Sequence, residues 1–233
     1  MPTADHESSG CRLASTQGQV LPLGDVMLSA EARGGLARVT LRQIFRNTHA
    51  EPLAVTYQLP LPSDAAVSGF AFTIGDRKVI GEIDRRDAAR ARFDEAMLQG
   101  RTAALVEQTR SSLFTQELGN VPPGTDVACE IVLDQRLRWL EEGAWEWRFP
   151  TVVAPRYLGA PARVPDADAV TVDVADAPLP GRCGLSLVVR DAVVAGRRPD
   201  SPSHPVQVQA VVGGFDVALL ERARLDQDVV VRW

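Results

Sequence analysis

Lysine is almost missing from this chain. Of its 25 basic residues only Lys78 is a lysine, and the rest are arginine. A GC-rich coding bias accounts for this, because alanine and glycine are also abundant; the functional alternative is arginine chosen for bidentate pairing with carboxylates. A positive surplus is missing too. Acidic residues number 30 and the formal net charge is −5, the reverse of the basic footprint that nucleic-acid binders usually show. No apolar run approaches the ~20 residues of a membrane span. The opening "MPTADHESSGCRLAST" lacks the apolar stretch of a secretory signal, although a signal cleaved from a longer precursor stays open. Cysteine is scarce. Cys11, Cys129 and Cys183 are odd in number and widely spaced, which suits neither a zinc site nor a disulfide framework. The unpaired thiols and the missing signal favour a bacterial cytoplasm.

Recognisable catalytic patterns are absent as well. There is no G-x-S-x-G around a serine, and Ser111-Ser112 follow Arg110 without a flanking turn glycine. Neither phosphate-loop pattern occurs. The histidines His6, His49 and His204 stand in polar or turn-rich surroundings, without the spacing to Cys, Asp or Glu that a metal site needs. Asp84 with Asp87, and Glu141 with Glu142, are carboxylate pairs that capping and a solvated turn explain. The sequence therefore offers no catalytic residue, no metal ligand and no cofactor site, and it points to a binding or structural module.

What the chain does contain is strand after strand. "VMLSAEARGGLARVTLRQIFRN" reads as a hairpin turned by Gly34-Gly35, with Val39, Leu41 and Phe45 on one face and Arg38 and Arg42 on the other. Val55, Tyr57 and Leu59 alternate until Pro60 and Pro62 end the run. Phe70, Phe72 and Ile74 share a face before Gly75-Asp76 turn the chain into "RKVIGEI". Pro122, Pro123 and Gly124 mark a type II turn between two further strands. Cys129 alternates with Val127 and Ile131, as a small buried side chain would. Trp145, Trp147 and Phe149 alternate and are too bulky to stay wet. "AVTVDV", "GLSLVVR", "VQVQAVV" and "DVVVRW" give shorter strands beyond a Pro/Ala-rich connector, with "GRRPDSPSHP" as a surface loop between two of them.

One stretch breaks the pattern. From about residue 84 to 99 the chain reads as a helix with Asp84 as N-cap, Ala89, Phe93, Ala96 and Met97 as a narrow apolar stripe, and Gly100 as its stop. A narrow stripe fits a helix lying on a sheet, with Phe93 as its anchor. Arg85, Arg86, Arg90 and Arg92 interleave with Asp84, Asp87, Asp94 and Glu95, which reads as a solvated face rather than a basic patch.

The ordered segments "VTLRQIFRNTHAEPLAVTYQLPLPSDAAVSGF", "FTIGDRKVIGEIDRRDAARARFDEAMLQGRTAALVEQ", "LFTQELGNVPPG" and "WRFPTVVAPRYLG" resemble the VIT domain, the vault protein/inter-alpha-trypsin inhibitor module. The resemblance implies a mostly β, β-sandwich-like fold with one helix packed on the sheet. It covers residues 16–158 as the VIT domain; composition sets off a small, polar, aperiodic tail (1–15) read as disordered, the Pro/Ala-rich connector (159–168) and a β-rich segment (169–233). In this family such a segment leads to a von Willebrand factor type A domain, whose metal-binding D-x-S-x-S does not occur here. That puts metal-dependent ligand binding in doubt for this chain. Family members include secreted, vault-associated and bacterial proteins, so the resemblance leaves localisation open.

The implied function is a non-catalytic protein–protein interaction or scaffolding module. Its partner would be a von Willebrand A domain in cis or in trans, with no nucleic acid and no membrane span. Arg86, Arg90 and Asp94 on the helix, and His204 in the loop Pro199 to Pro205, form the candidate interaction surface. The alternatives are a stand-alone binder of carbohydrate, lipid or nucleic acid, and an unrecognised enzyme.

Overall fold

The structure, a computed structural model, describes residues 12–15, 19–62, 64–81, 94–96, 98–99, 104–110, 113–151, 181–191, 197–224 and 227–233. In chain order the strands are β1 (Arg12–Ser15), β2 (Leu23–Arg33), β3 (Leu36–Arg46), β4 (Leu53–Pro60), β5 (Ala65–Ile74), β6 (Arg77–Ile80), β7 (Ala104–Arg110) and β8 (Leu113–Val121). There follow β9 (Asp126–Arg136), β10 (Arg138–Leu140), β11 (Ala144–Phe149), β12 (Arg182–Val189), β13 (Val206–Val211), β14 (Gly214–Leu219), β15 (Ala223–Arg224) and β16 (Val229–Arg232). The fold is mostly β, as expected.

The largest sheet runs β13-β14-β12-β2-β3-β9-β5-β6, with β15 beside β12. Its centre shows how the sequence sets register. Across β3 and β9, Val39 faces Leu133, Leu41 faces Ile131 and Phe45 faces Val127, all buried. The alternate positions pair Arg38 with Asp134, Arg42 with Glu130 and Arg46 with Asp126. A slip of one residue would turn every arginine inward and every apolar side chain outward, so this register is strongly specified. Gly34 and Gly35 make the β2–β3 turn with φ of 61° and 78°, the left-handed values a tight hairpin demands.

A second sheet, β1-β4-β8-β7, supplies the facing layer. Leu13, Val55, Tyr57, Leu59 and Leu118 from it join Leu28, Leu41, Phe45 and Ile131 in one continuous core. Tyr57 and Phe45 meet edge-on across the layers, with ring centroids 5.9 Å apart. The Tyr57 hydroxyl donates to the Gln43 side chain, which satisfies a buried amide facing Cys129 in the β3–β9 register. Two facing sheets with a shared interior make the fold sandwich-like. Each apolar side chain fully buried there contributes about 1.5–3 kcal/mol.

A three-stranded sheet, β10-β11-β16, adds Trp147, Phe149, Val229 and Val231 to the same core. The C-terminal strands are thus woven into the rest. β12 pairs in parallel with β2 along its whole length, and β16 pairs antiparallel with β11.

The polar tail ends earlier than its composition suggests, because Arg12–Ser15 pairs with Val55–Gln58 as β1; residues 1–11 lie outside the described part. Residues 94–96 and 98 are helical, and Gln99 donates its backbone N–H to Glu95 at 3.1 Å, one helical turn back. This falls where the helix is expected. Asp84, Phe93, Gly100 and the connector lie outside the described residues.

Candidate interaction surface

Of the four residues singled out in the sequence, Arg86 and Arg90 lie outside the described residues. Asp94 is exposed, within the described helical turn. His204 is half-buried and tied into its own loop. Its backbone N–H donates to Ser201 Oγ at 3.1 Å, its Nδ1 lies 2.9 Å from Ser203 Oγ, and its Nε2 lies 3.4 Å from Gln227 Nε2. Ser203 Oγ also accepts the Val230 N–H at 2.9 Å, so the pair fastens the loop to β16. Nothing in the described residues brings Asp94 and His204 together.

The structure assembles a different set of residues at the turn end of β2 and β3. Gly35 sits against the Trp145 indole: a Cβ there would lie 2.8 Å from Trp145 Cη2. Trp139 stacks edge-on against Trp145, with centroids 4.7 Å apart. Trp145 and Trp233 exchange backbone hydrogen bonds of 2.8 and 3.1 Å, which ends β16 on β11. The Asp191 carboxylate then joins three segments. Its Oδ1 accepts the Gly34 N–H at 2.6 Å, and its Oδ2 accepts the Trp233 indole N–H at 2.9 Å.

A buried ion pair fixes the same strand one residue earlier. Glu146 has a side chain 3 % exposed, and Arg232 Nη2 approaches it at 2.8 Å while Arg232 Nε donates at 2.9 Å. Arg148 stands 3.5 Å from the other oxygen and reaches Asp228 at 3.3 Å. A buried carboxylate is tolerated because it is matched by charge-assisted hydrogen bonds. Its neighbours Trp145 and Trp147 gave a sequence-level sign of burial, but the pairing with Arg232 has no spacing signature. Beside this lock two large apolar side chains stay in water: Leu36, 57 % exposed, and Trp139, 56 % exposed.

Among the described residues no group of three or more His, Cys, Asp or Glu could hold a metal ion, and no helix is long and apolar enough to cross a membrane. Cys129 and Cys183 are buried and in no disulfide. Burial pushes the Cys183 thiol up to about 12 against a smaller opposing effect of Arg222, which makes it an inert core side chain.

Residues 23–133 match the family model of the Vault protein inter-alpha-trypsin domain. The chain is 28 % identical over 149 residues to mouse von Willebrand factor A domain-containing protein 5A, covering 63 % of this chain and 19 % of that protein. It is 33 % identical over 132 residues to human protein mono-ADP-ribosyltransferase PARP4, covering 56 % of this chain and 8 % of that protein. It therefore spans a small part of the length of these relatives. A crystal structure of a Legionella pneumophila protein described as nutrient-binding superimposes with a TM-score of 0.51 at 11 % identity, over 98 % of this chain and 72 % of that one. At that identity the likeness is one of fold alone.

Proposed function

We propose that this chain, which carries a Vault protein inter-alpha-trypsin (VIT) domain over residues 23–133, is a non-catalytic interaction and scaffolding module that holds a von Willebrand factor A domain, in cis or in trans, at its tryptophan-lined end. One observation carries the reading. The final strand is fastened at consecutive points, by Glu146 on Arg232 and by Asp191 and Trp145 on Trp233. A domain seated there would inherit a fixed position instead of swinging on a tether.

Leu36 and Trp139 beside the lock offer the large apolar contacts that anchor protein interfaces. A relative named for its von Willebrand factor A domain supports the choice of partner. The non-catalytic part of the reading is supported by the engagement of His204 and Ser203 in loop contacts. The pairing of the buried Glu146 with arginine supports it too.

The test is the intact mass of the protein from its source cells, with any chain that co-purifies. The expected result is a D-x-S-x-S-containing von Willebrand A domain, either in the same chain or bound to it. Substituting Leu36→Ser with Trp139→Ser should release the bound chain, or speed proteolysis at the joint of a domain in cis. A 25.2 kDa chain with no such companion refutes the reading, as does a companion indifferent to the double substitution.

A further inference from the structure

Among the described residues, β13 closes one end of the largest sheet, and it is built unlike the sheet's other border. β6, at the opposite end, carries exposed Arg77 and Lys78, and Lys78 pairs with Glu130. The outer side of β16 is covered by reciprocal 2.9 Å bonds between Asp200 and Arg232. Charge and cover of this kind keep sheet edges from pairing with another chain. By contrast, "VQVQAVV" from Val206 to Val212 contains no charged residue and no proline. Gln207, Gln209, Ala210, Val211 and Val212 are all exposed.

The register shows which backbone groups of β13 face away from β14. Leu220 donates to Pro205 at 3.0 Å, and Val211 faces Gly214 across the turn. The odd-numbered residues of β13 therefore bond inward to β14, and Val206, Val208 and Ala210 point their N–H and C=O groups outward. Among the described residues one group reaches that side: Arg198 Nη2 donates to the Val208 carbonyl at 2.7 Å.

We propose that the β13 edge pairs antiparallel with β13 of a second copy of this chain, on a two-fold axis at Val208, with Arg198 as the internal competitor. That axis sets Val206 opposite Ala210 and Val208 opposite Val208, all hydrogen-bonding positions. It also sets neutral Gln207 opposite Gln209, so no charges clash, as a self-complementary two-fold contact requires. A single six-residue edge is smaller than the ~800 Å² per partner of a standard stable interface. The dimer is accordingly weak and concentration-dependent.

Sedimentation equilibrium of the full chain from about 1 μM to about 1 mM tests this. The expected result is reversible dimerisation within that range. Arg198→Ala frees the Val208 carbonyl in both copies and should tighten dimerisation about 25-fold, about fivefold for each of the two groups. Ala210→Pro removes an outward N–H and no inward bond, and should weaken dimerisation at least about tenfold. Gln207→Lys with Gln209→Lys leaves the backbone untouched, opposes like charges in the dimer, and should do the same. Circular dichroism checks that each variant is folded. A wild-type chain monomeric throughout, or a dimer that survives both edge variants, overturns the proposal.

Discussion

Replacing Trp233 by alanine should loosen the whole C-terminal strand, and the cost can be worked from its surroundings. The side chain is 7 % exposed and belongs to the main core. Truncating a buried tryptophan costs about 3–5 kcal/mol. The indole N–H on Asp191 would add about 1.5–3 kcal/mol if fully buried, because its acceptor is charged. This bond is only part-buried, and a strand end can relax around a vacancy, so a total of about 3 kcal/mol is expected. Urea unfolding followed by circular dichroism reads it directly. With a slope near 3 kcal/mol/M the midpoint should fall by about 1 M. Trp233→Phe keeps most of the ring and loses the N–H, so it should cost about 1 kcal/mol. If Trp233→Ala left both midpoint and slope unchanged, Trp233 would be a loose end and the proposed lock would be wrong.

Other consequences are as concrete. Asn47 is fully buried and shares its amide N–H groups among the carbonyls of Glu51, Val121 and Pro122, each at 3.1 Å; Asn47→Ala should cost at least about 2 kcal/mol, and an unchanged melting temperature would contradict that role. In a Cys11→Ser chain, Cys129 and Cys183 are both buried, so iodoacetamide at pH 8 should label neither until the protein is unfolded; rapid native labelling would refute the packing. Asp134 accepts a 2.7 Å bond from Arg38, and chiefly that bond holds its carboxyl below the ordinary range. With the folded value below the unfolded one, the pair adds stability above the unfolded pKa and loses it as pH falls through the folded pKa. Both side chains are largely in water, so the effect is small and weakened by salt. The stability gap between wild type and Asp134→Asn should therefore close as the pH drops below about 3.9, and a gap that persists in acid would point to another cause.

Much of the fold is legible in the sequence where one face of a strand is buried. The alternation of Val39, Leu41 and Phe45 with Arg38 and Arg42 predicts the β3 face that the structure shows, and Gly34-Gly35 predicts its turn. Cys129 is buried as its strand pattern predicts. The same reasoning misses polar residues inside: Gln43, Asn47, Gln135 and Glu146 are all buried. Their positions are legible only once the partner is known, as Tyr57 is for Gln43 and Arg232 for Glu146. β14 carries Asp216 and Ala218 and lacks a clean run, so its pairing with β12 and β13 has no local sign. The parallel match of β12 with β2 joins segments more than a hundred residues apart, which periodicity cannot reveal. His204 looks like a free loop histidine in the sequence, but Ser201 and Ser203 hold it. Short polar residues favour such local bonds.

Amide hydrogen exchange in the native protein tests the rigid C-terminal end most directly. The Trp145, Arg232 and Trp233 amides each donate to a backbone carbonyl, in Trp233, Asp200 and Trp145. If β16 is locked into the core, these amides should exchange only through global unfolding, with the same opening free energy as the β3 and β9 amides. Exchange at nearly unstructured rates, while β3 and β9 stay protected, would show a fraying end that could hold no neighbouring domain in place.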